Sequence, residues 1–171
     1  MGMLSEKLKS LVANKKKALI AYVVAGDPEP RATVPLMHRL VESGVDVIEL
    51  GVPFSDPEAE GPVIQLAHER ALAHNVSLTN CLEMTAEFRQ LDKVTPIVLM
   101  GYLNPVETMG YENFAAKAAE SGANGTIIVN LPPEEAVDMS ALLVAKDIEP
   151  VYLLAPTTTD ERAKMICEAS K

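Results

Sequence analysis

Five apolar runs, rich in β-branched residues, recur along the chain. They are Leu19–Ala25, Val45–Val52, Ile97–Tyr102, Gly125–Leu131 and Val151–Ala155. Each is continuous rather than alternating, which marks strands buried on both faces and therefore a parallel sheet covered by helices. Between them lie helical patterns: Leu4–Ala13 ahead of the first run, then Thr33–Ser43, Val63–His74, Leu78–Leu91, Tyr111–Ser121, Pro133–Ala145, and a last one to about Ala169. Several carry end signals. Gly44 and Gly122 follow two of them, Pro62 and Ser77 precede two others, Pro133-Glu134-Glu135 supplies acids at a start, and Thr158 stands at capping-box spacing from Glu161. Strands that begin mostly about 25–30 residues apart, with helices between, predict right-handed β-α-β units in an α/β fold.

Two architectures satisfy this pattern. One is an open, doubly wound sheet and the other is part of a (β/α)₈ barrel, which in full has eight units where this sequence has five. The first strand runs into Ala25-Gly26-Asp27-Pro28, not into a glycine-rich dinucleotide fingerprint, and there is no P-loop. The 171 residues read as a single domain, and 48% apolar with 23% charged residues is a composition that folds. A net charge of −9 opposes binding to nucleic acid or anionic lipid. No run reaches the roughly 20 apolar residues of a membrane helix, and Met1–Lys17 lacks a signal-peptide core, so the expected location is the cytoplasm. Cys81 and Cys167 fit neither metal spacing nor a disulfide framework and are expected as buried or half-buried thiols, while His38, His68 and His74 are expected in surface or structural roles. No metal is expected.

Chemistry in either architecture sits at the carboxyl ends of the strands. The residues there are largely apolar, with a few carboxylates and amides, as suits a pocket for a flat apolar group served by an acid or base. Glu49 stands out. Within Val47-Ile48-Glu49-Leu50, alternation turns it to the face opposite Ile48 and Leu50. A carboxylate there is costly unless paired or neutralised, and burial raises its pKa toward the range of a proton shuttle; the alternative is a hydrogen-bonded structural acid. The following loop holds Asp56, Glu58 and Glu60 and is longer than usual for a strand–helix connection. Glu58 reads as a solvated loop acid, and Glu60 is balanced between that and a second catalytic carboxylate. No Ser–His–Asp set emerges, and no lysine lies at a strand's carboxyl end, so Schiff-base chemistry has no support.

The stretch Glu49-Leu50-Gly51-Val52-Pro53-Phe54-Ser55-Asp56-Pro57, with Gly61-Pro62 and Ile64-Gln65, closely resembles the signature of the tryptophan synthase alpha subunit family. Ala25-Gly26-Asp27-Pro28, Leu99–Pro105 and Leu131-Pro132 with Glu134-Glu135 are similar to the same family, so the resemblance spans essentially the whole chain. It implies a (β/α)₈ barrel, here with about five of eight units, that splits indole-3-glycerol phosphate into indole and glyceraldehyde 3-phosphate. No cofactor is implied in this chain. Pyridoxal phosphate belongs to a beta subunit, which receives the indole within an alpha2-beta2 assembly. By position, Glu49 matches the general acid–base and Glu60 the second catalytic acid, while Tyr22, Met100, Tyr102, Ile127 and Val129 match the indole pocket. Pro53, Asp56, Pro57, Asn104 and Pro132 match surfaces that face the beta subunit.

The sequence also departs from the family pattern. Glu60 stands where the family usually has Asp, Asn130 where it usually has Asp, and Glu58 where it is usually apolar. The strands that would close the barrel and grip phosphate lie beyond the five units seen here. A non-catalytic module that only binds and activates a beta partner is the alternative reading.

Overall fold

The computed structural model describes residues 2–170. Its sheet has five parallel strands in the spatial order of the chain: β1 (Ile20–Val24), β2 (Val47–Gly51), β3 (Ile97–Gly101), β4 (Gly125–Ile128) and β5 (Glu149–Pro150). A doubly wound sheet reverses its order at a switch point; this one never does, so the open alternative is rejected in favour of the (β/α)₈-barrel arrangement. The helices are α1 (Met3–Ala13), α2 (Pro30–Glu42), α3 (Pro62–Ala73), α4 (Leu78–Phe88), α5 (Leu103–Met109), α6 (Tyr111–Ser121), α7 (Val137–Val144) and α8 (Asp160–Ala169).

The two faces of the sheet are separate apolar bodies. Ile48, Leu50, Ile97 and Leu99 turn outward into the main core, where Met37 of α2, Phe88 of α4, Phe114 of α6 and Leu143 of α7 are fully buried. Truncating any of these large side chains to alanine would cost about 2–5 kcal/mol. Val47, Val98 and Ile127 turn inward and are covered from the amino ends of the strands by Leu4 of α1. In-register pairing sets the inner rows: Tyr22 lies beside Glu49, Glu49 beside Val98, Val98 beside Gly125 and Gly125 beside Glu149. Gly125 keeps this row open where an added Cβ would press on the Glu149 carbonyl and on Leu4.

Glu149 shows how α1 is held. α1 has no side-chain cap of its own, and the Glu149 carboxylate fills the role from across the fold, accepting a bond of 3.1 Å from the Ser5 amide and another from the Ser5 hydroxyl.

Several boundaries differ from the sequence reading. The fifth strand is Glu149–Pro150, not Val151–Ala155. β4 leaves the ladder after Ile128 to make a turn, with the Leu131 amide bonded to the Ile128 carbonyl. Residues beyond Val151 therefore have no partner on that side, and Leu153 and Leu154 are exposed. α7 begins at Val137, because Pro132–Ala136 closes a turn and Glu134 pairs with Arg162 at 2.5 Å instead of capping a helix. The last helix is capped by Thr159 rather than Thr158, whose hydroxyl receives the Ala155 amide. α5 was not anticipated; Pro105 falls in its first turn, where a missing amide proton costs nothing. Ser77 does cap α4, through a capping box completed by Asn80. Cys81 is buried, which pushes its thiol up to about 12, but Cys167 is exposed.

Candidate active site

Glu49 sits in the middle of β2, on the inner face, flanked by Tyr22 and Val98. It is half-buried, and among the described residues no hydrogen bond or ion pair holds its carboxylate. Burial alone raises its pKa above the usual glutamate value. An unpartnered carboxyl whose neutral form is favoured by burial is suited to giving a proton and taking one back.

Glu60 arrives by a different route. After β2 the chain runs out through Pro53–Gly61 before turning into α3. The Gln65 side chain, one turn into α3, binds this loop by donating to the Glu60 carbonyl at 3.1 Å and lies 3.4 Å from that of Pro57. The loop folds back onto the end of β3. There the Phe54 ring stacks on Tyr102, with centroids 4.8 Å apart. The Tyr102 hydroxyl donates to Glu60 Oε2 at 2.5 Å and accepts the Ala59 amide at 2.9 Å. Burial, then this bond to Glu60, raises the Tyr102 pKa, so the phenol stays protonated and continues to donate.

Tyr22 joins the two acids. Its ring lies across β2 over Gly51, where an added Cβ would fall 2.3 Å from the phenol oxygen. Burial raises its pKa most, and the charges of Glu60 and then Glu49 raise it further. Both carboxylates thus lie within electrostatic reach of one neutral phenol. Opposite them Met100 pairs with Ile127, and Val129 and Val151 extend the same apolar wall. Tyr22, Met100, Tyr102, Ile127 and Val129 are therefore brought to one end of the sheet with Glu49 and Glu60.

The remaining expected residues fall on the rim. Asp56 and Asn104 are exposed, Pro57 and Pro132 half-buried, and Pro53 is buried beneath the loop. Asn130 Oδ1 accepts the Leu103 amide at 2.8 Å, an anchoring bond that needs a side-chain oxygen and no charge. A separate open cleft of about 460 Å³ lies between the end of β4 and α8. It shares Ile127, Val129 and Val151 with the apolar wall, but neither Glu49 nor Glu60 lines it.

His68 was not read from the sequence as part of the site, whereas Asp27 follows the carboxyl end of the first strand, where function was expected. His68 of α3 is buried and lies 3.2 Å from the Tyr22 hydroxyl and 3.0 Å from the Phe54 amide. Asp27 receives both a 2.6 Å and a 3.0 Å bond from Arg70, which clamps the loop after β1 to α3. A lone histidine on a helix carries no signal by itself; in the fold His68 lies on the buried side of α3 with Ala67 and Ala71. Among the described residues no cluster of His, Cys, Asp or Glu is arranged to hold a metal, and no helix is long and apolar enough to cross a membrane.

The family profile described as tryptophan synthase alpha chain matches residues 8–171. The tryptophan synthase alpha chain of Marinobacter nauticus is 60% identical over 163 residues, covering 95% of this chain and 60% of that protein. The crystal structure of tryptophan synthase subunit alpha from Legionella pneumophila superposes with a TM-score of 0.96 at 52% identity, covering all of this chain and 65% of that one. A tryptophan synthase complex from Pyrococcus furiosus contains a chain that matches with a TM-score of 0.86 at 40% identity, over 90% of this chain and 63% of that one. The chain thus spans less than two thirds of the length of these relatives.

Proposed function

Because the chain belongs to the tryptophan synthase alpha chain family, we propose that it is the first five units of a single-domain barrel that acts as a carbon–carbon lyase on indole-3-glycerol phosphate, in the cytoplasm. The observation that carries this reading is Glu49: a half-buried carboxyl with a raised pKa and no hydrogen-bond partner among the described residues, on the same inner face as an apolar wall that suits an indole.

In this reading the indole ring lies against Met100, Ile127 and Val129. Glu49 delivers a proton to the ring carbon that bears the side chain, and Glu60, held by Tyr102, takes the positive charge that develops at the ring nitrogen. The hydroxyl on the adjacent carbon then gives up its proton to the Glu49 carboxylate. The carbon–carbon bond breaks, its electrons return to the ring, and indole and glyceraldehyde 3-phosphate separate. The ring carbon keeps the proton it was given, the hydroxyl proton replaces it on Glu49, and no cofactor takes part. Tyr22 stays a neutral phenol between the acids, so it adds no third charge to the site.

Glu60 reaches one methylene further than the family's usual Asp, and the Tyr102 hydroxyl fixes where that extra reach ends. The exposed loop residues Asp56 and Asn104, with Pro57 and Pro132 beside them and Pro53 beneath, form the rim on which a pyridoxal-phosphate beta subunit would seat in an alpha2-beta2 assembly. The test is indole release from indole-3-glycerol phosphate, with and without a beta subunit, by the chain and by Glu49→Gln. Abolished release in the variant supports the reading; equal release by both rejects it.

A further inference from the structure

The two hydrogen-bonded ends of the site meet at a single side chain. His68 Nε2 lies 3.2 Å from the Tyr22 hydroxyl, and Nδ1 lies 3.0 Å from the Phe54 amide nitrogen. Nδ1 also lies 3.3 Å from the Phe54 carbonyl oxygen; the amide, which can only donate, is the nearer of the two, so Nδ1 is assigned as the acceptor and the ring proton to Nε2, directed at Tyr22. His68 is 2% exposed, so water does not substitute for either bond. From Phe54 the connection continues through its stacked ring to Tyr102, and through the Tyr102 hydroxyl to Glu60. From Tyr22 it runs back over Gly51 to the row that holds Glu49. One unbroken set of contacts thus joins the strand that carries one acid to the loop that carries the other, and His68 is its middle member.

We propose that His68 is a positioning residue: it sets the Tyr22 phenol over β2 and, through Phe54 and Tyr102, fixes the place of the Glu60 carboxylate relative to Glu49. The inference rests on the proposed reaction for its kinetic consequence, but not for its structural one. His68 touches neither acid. It acts by holding a phenol on one side and the root of the acidic loop on the other, so that the distance between two carboxylates on separate elements is set by one rigid imidazole. With Nδ1 accepting from the nearer Phe54 amide, the ring donates to Tyr22 from Nε2.

Two variants separate the ends of the link. In His68→Asn the side-chain oxygen stands near the position of Nδ1 and still accepts the Phe54 amide, but nothing reaches Tyr22. In His68→Leu both bonds are lost at similar volume. In the wild type, the ¹⁵N spectrum of labelled histidine is expected to show Nδ1 as the unprotonated ring nitrogen. The Phe54 amide and Tyr102 ring signals are expected to shift in His68→Leu and to stay near their wild-type positions in His68→Asn, while the Tyr22 ring signal shifts in both. With indole-3-glycerol phosphate, His68→Leu is expected to lower kcat about a hundredfold while KM changes by less than about threefold, the mark of misplaced groups, not lost binding. His68→Asn falls between it and the wild type.

Wild-type Tyr102 and Phe54 signals in His68→Leu, or a ring proton on Nδ1, would overturn the proposal. If His68→Leu does not fold, the Tyr22 signal in His68→Asn decides: an unshifted signal rejects the link. If the signals respond as stated but the wild type releases no indole, the positioning role stands and the proposed reaction falls.

Discussion

Glu49 and Glu149 lie in one inner row of the same sheet, with two strands between them at Val98 and Gly125, and they have opposite surroundings. Glu149 is buried and saturated: the Ser5 amide and hydroxyl both donate to it, and Gly2 packs so closely that a Cβ there would fall 2.3 Å from Oε1. Glu49 is half-buried and has no donor among the described residues. The same residue type, on the same face, is structural where a helix start meets it and chemically free where none does. The difference teaches that burial alone does not mark a catalytic acid. What marks it is burial without satisfaction, which a structure tolerates only where the group has other work.

The comparison breaks if the roles exchange under mutation. The largest expected effect is on turnover. Glu49→Gln keeps the shape of the side chain and removes the proton, so indole release should fall by roughly 10²–10⁴, as expected for a general acid–base group. Glu149→Gln should change it little by comparison. Next comes stability. Glu149→Ala leaves the Ser5 amide and hydroxyl without their acceptor and is expected to lower unfolding free energy by about 1–3 kcal/mol, measured by urea titration followed by circular dichroism. A destabilisation of that size in Glu49→Ala instead would invert the assignment. Gly2→Ala crowds the carboxylate that holds α1, and a smaller loss of about 1 kcal/mol is expected in the same titration.

The smallest effect is the most specific to Glu49. Burial raises its pKa in the folded chain above the unfolded value, so folding binds a proton more tightly. That favours the folded state below the unfolded glutamate pKa, and the advantage is lost as pH rises through the folded one. Glutamine has no such dependence. Glu49→Gln should therefore be slightly more stable than the wild type at pH 7, with the gain disappearing toward pH 3, as read from thermal unfolding midpoints. A gain that persists at pH 3 would mean that charge at Glu49 is not what the variant relieves.

Much of this arrangement was legible in the chain and some was not, for identifiable reasons. The first four strands lie within their apolar runs; β2 and β3 are buried on both faces as those runs imply, whereas β1 is an edge strand whose Ile20 is exposed. The inward turn of Glu49 followed from alternation over four residues. The fifth strand was misplaced because its ladder is set by tertiary register: the Glu149 amide bonds to the Asn124 carbonyl and the Val151 amide to that of Thr126. A charged residue and a proline carry the pairing, and the apolar run that follows adds to it the amide of its first residue, Val151. That same shift hid Glu149 from the inner face. His68 was hidden differently, since its value lies in two bonds to residues 14 and 46 positions away, which no spacing rule encodes.

The bond between Ser5 and Glu149 joins residues 144 positions apart in the chain. During synthesis, α1 leaves the ribosome well before the acceptor for its first turn, which is made about 140 residues later. Until then Leu4 has no finished inner face to cover. Seating of α1 is accordingly a late event, paced by translation at about 5–20 residues per second, and the early strands must keep their inner side unsealed for that interval. A chaperone or protease that meets the nascent chain would meet that open end first.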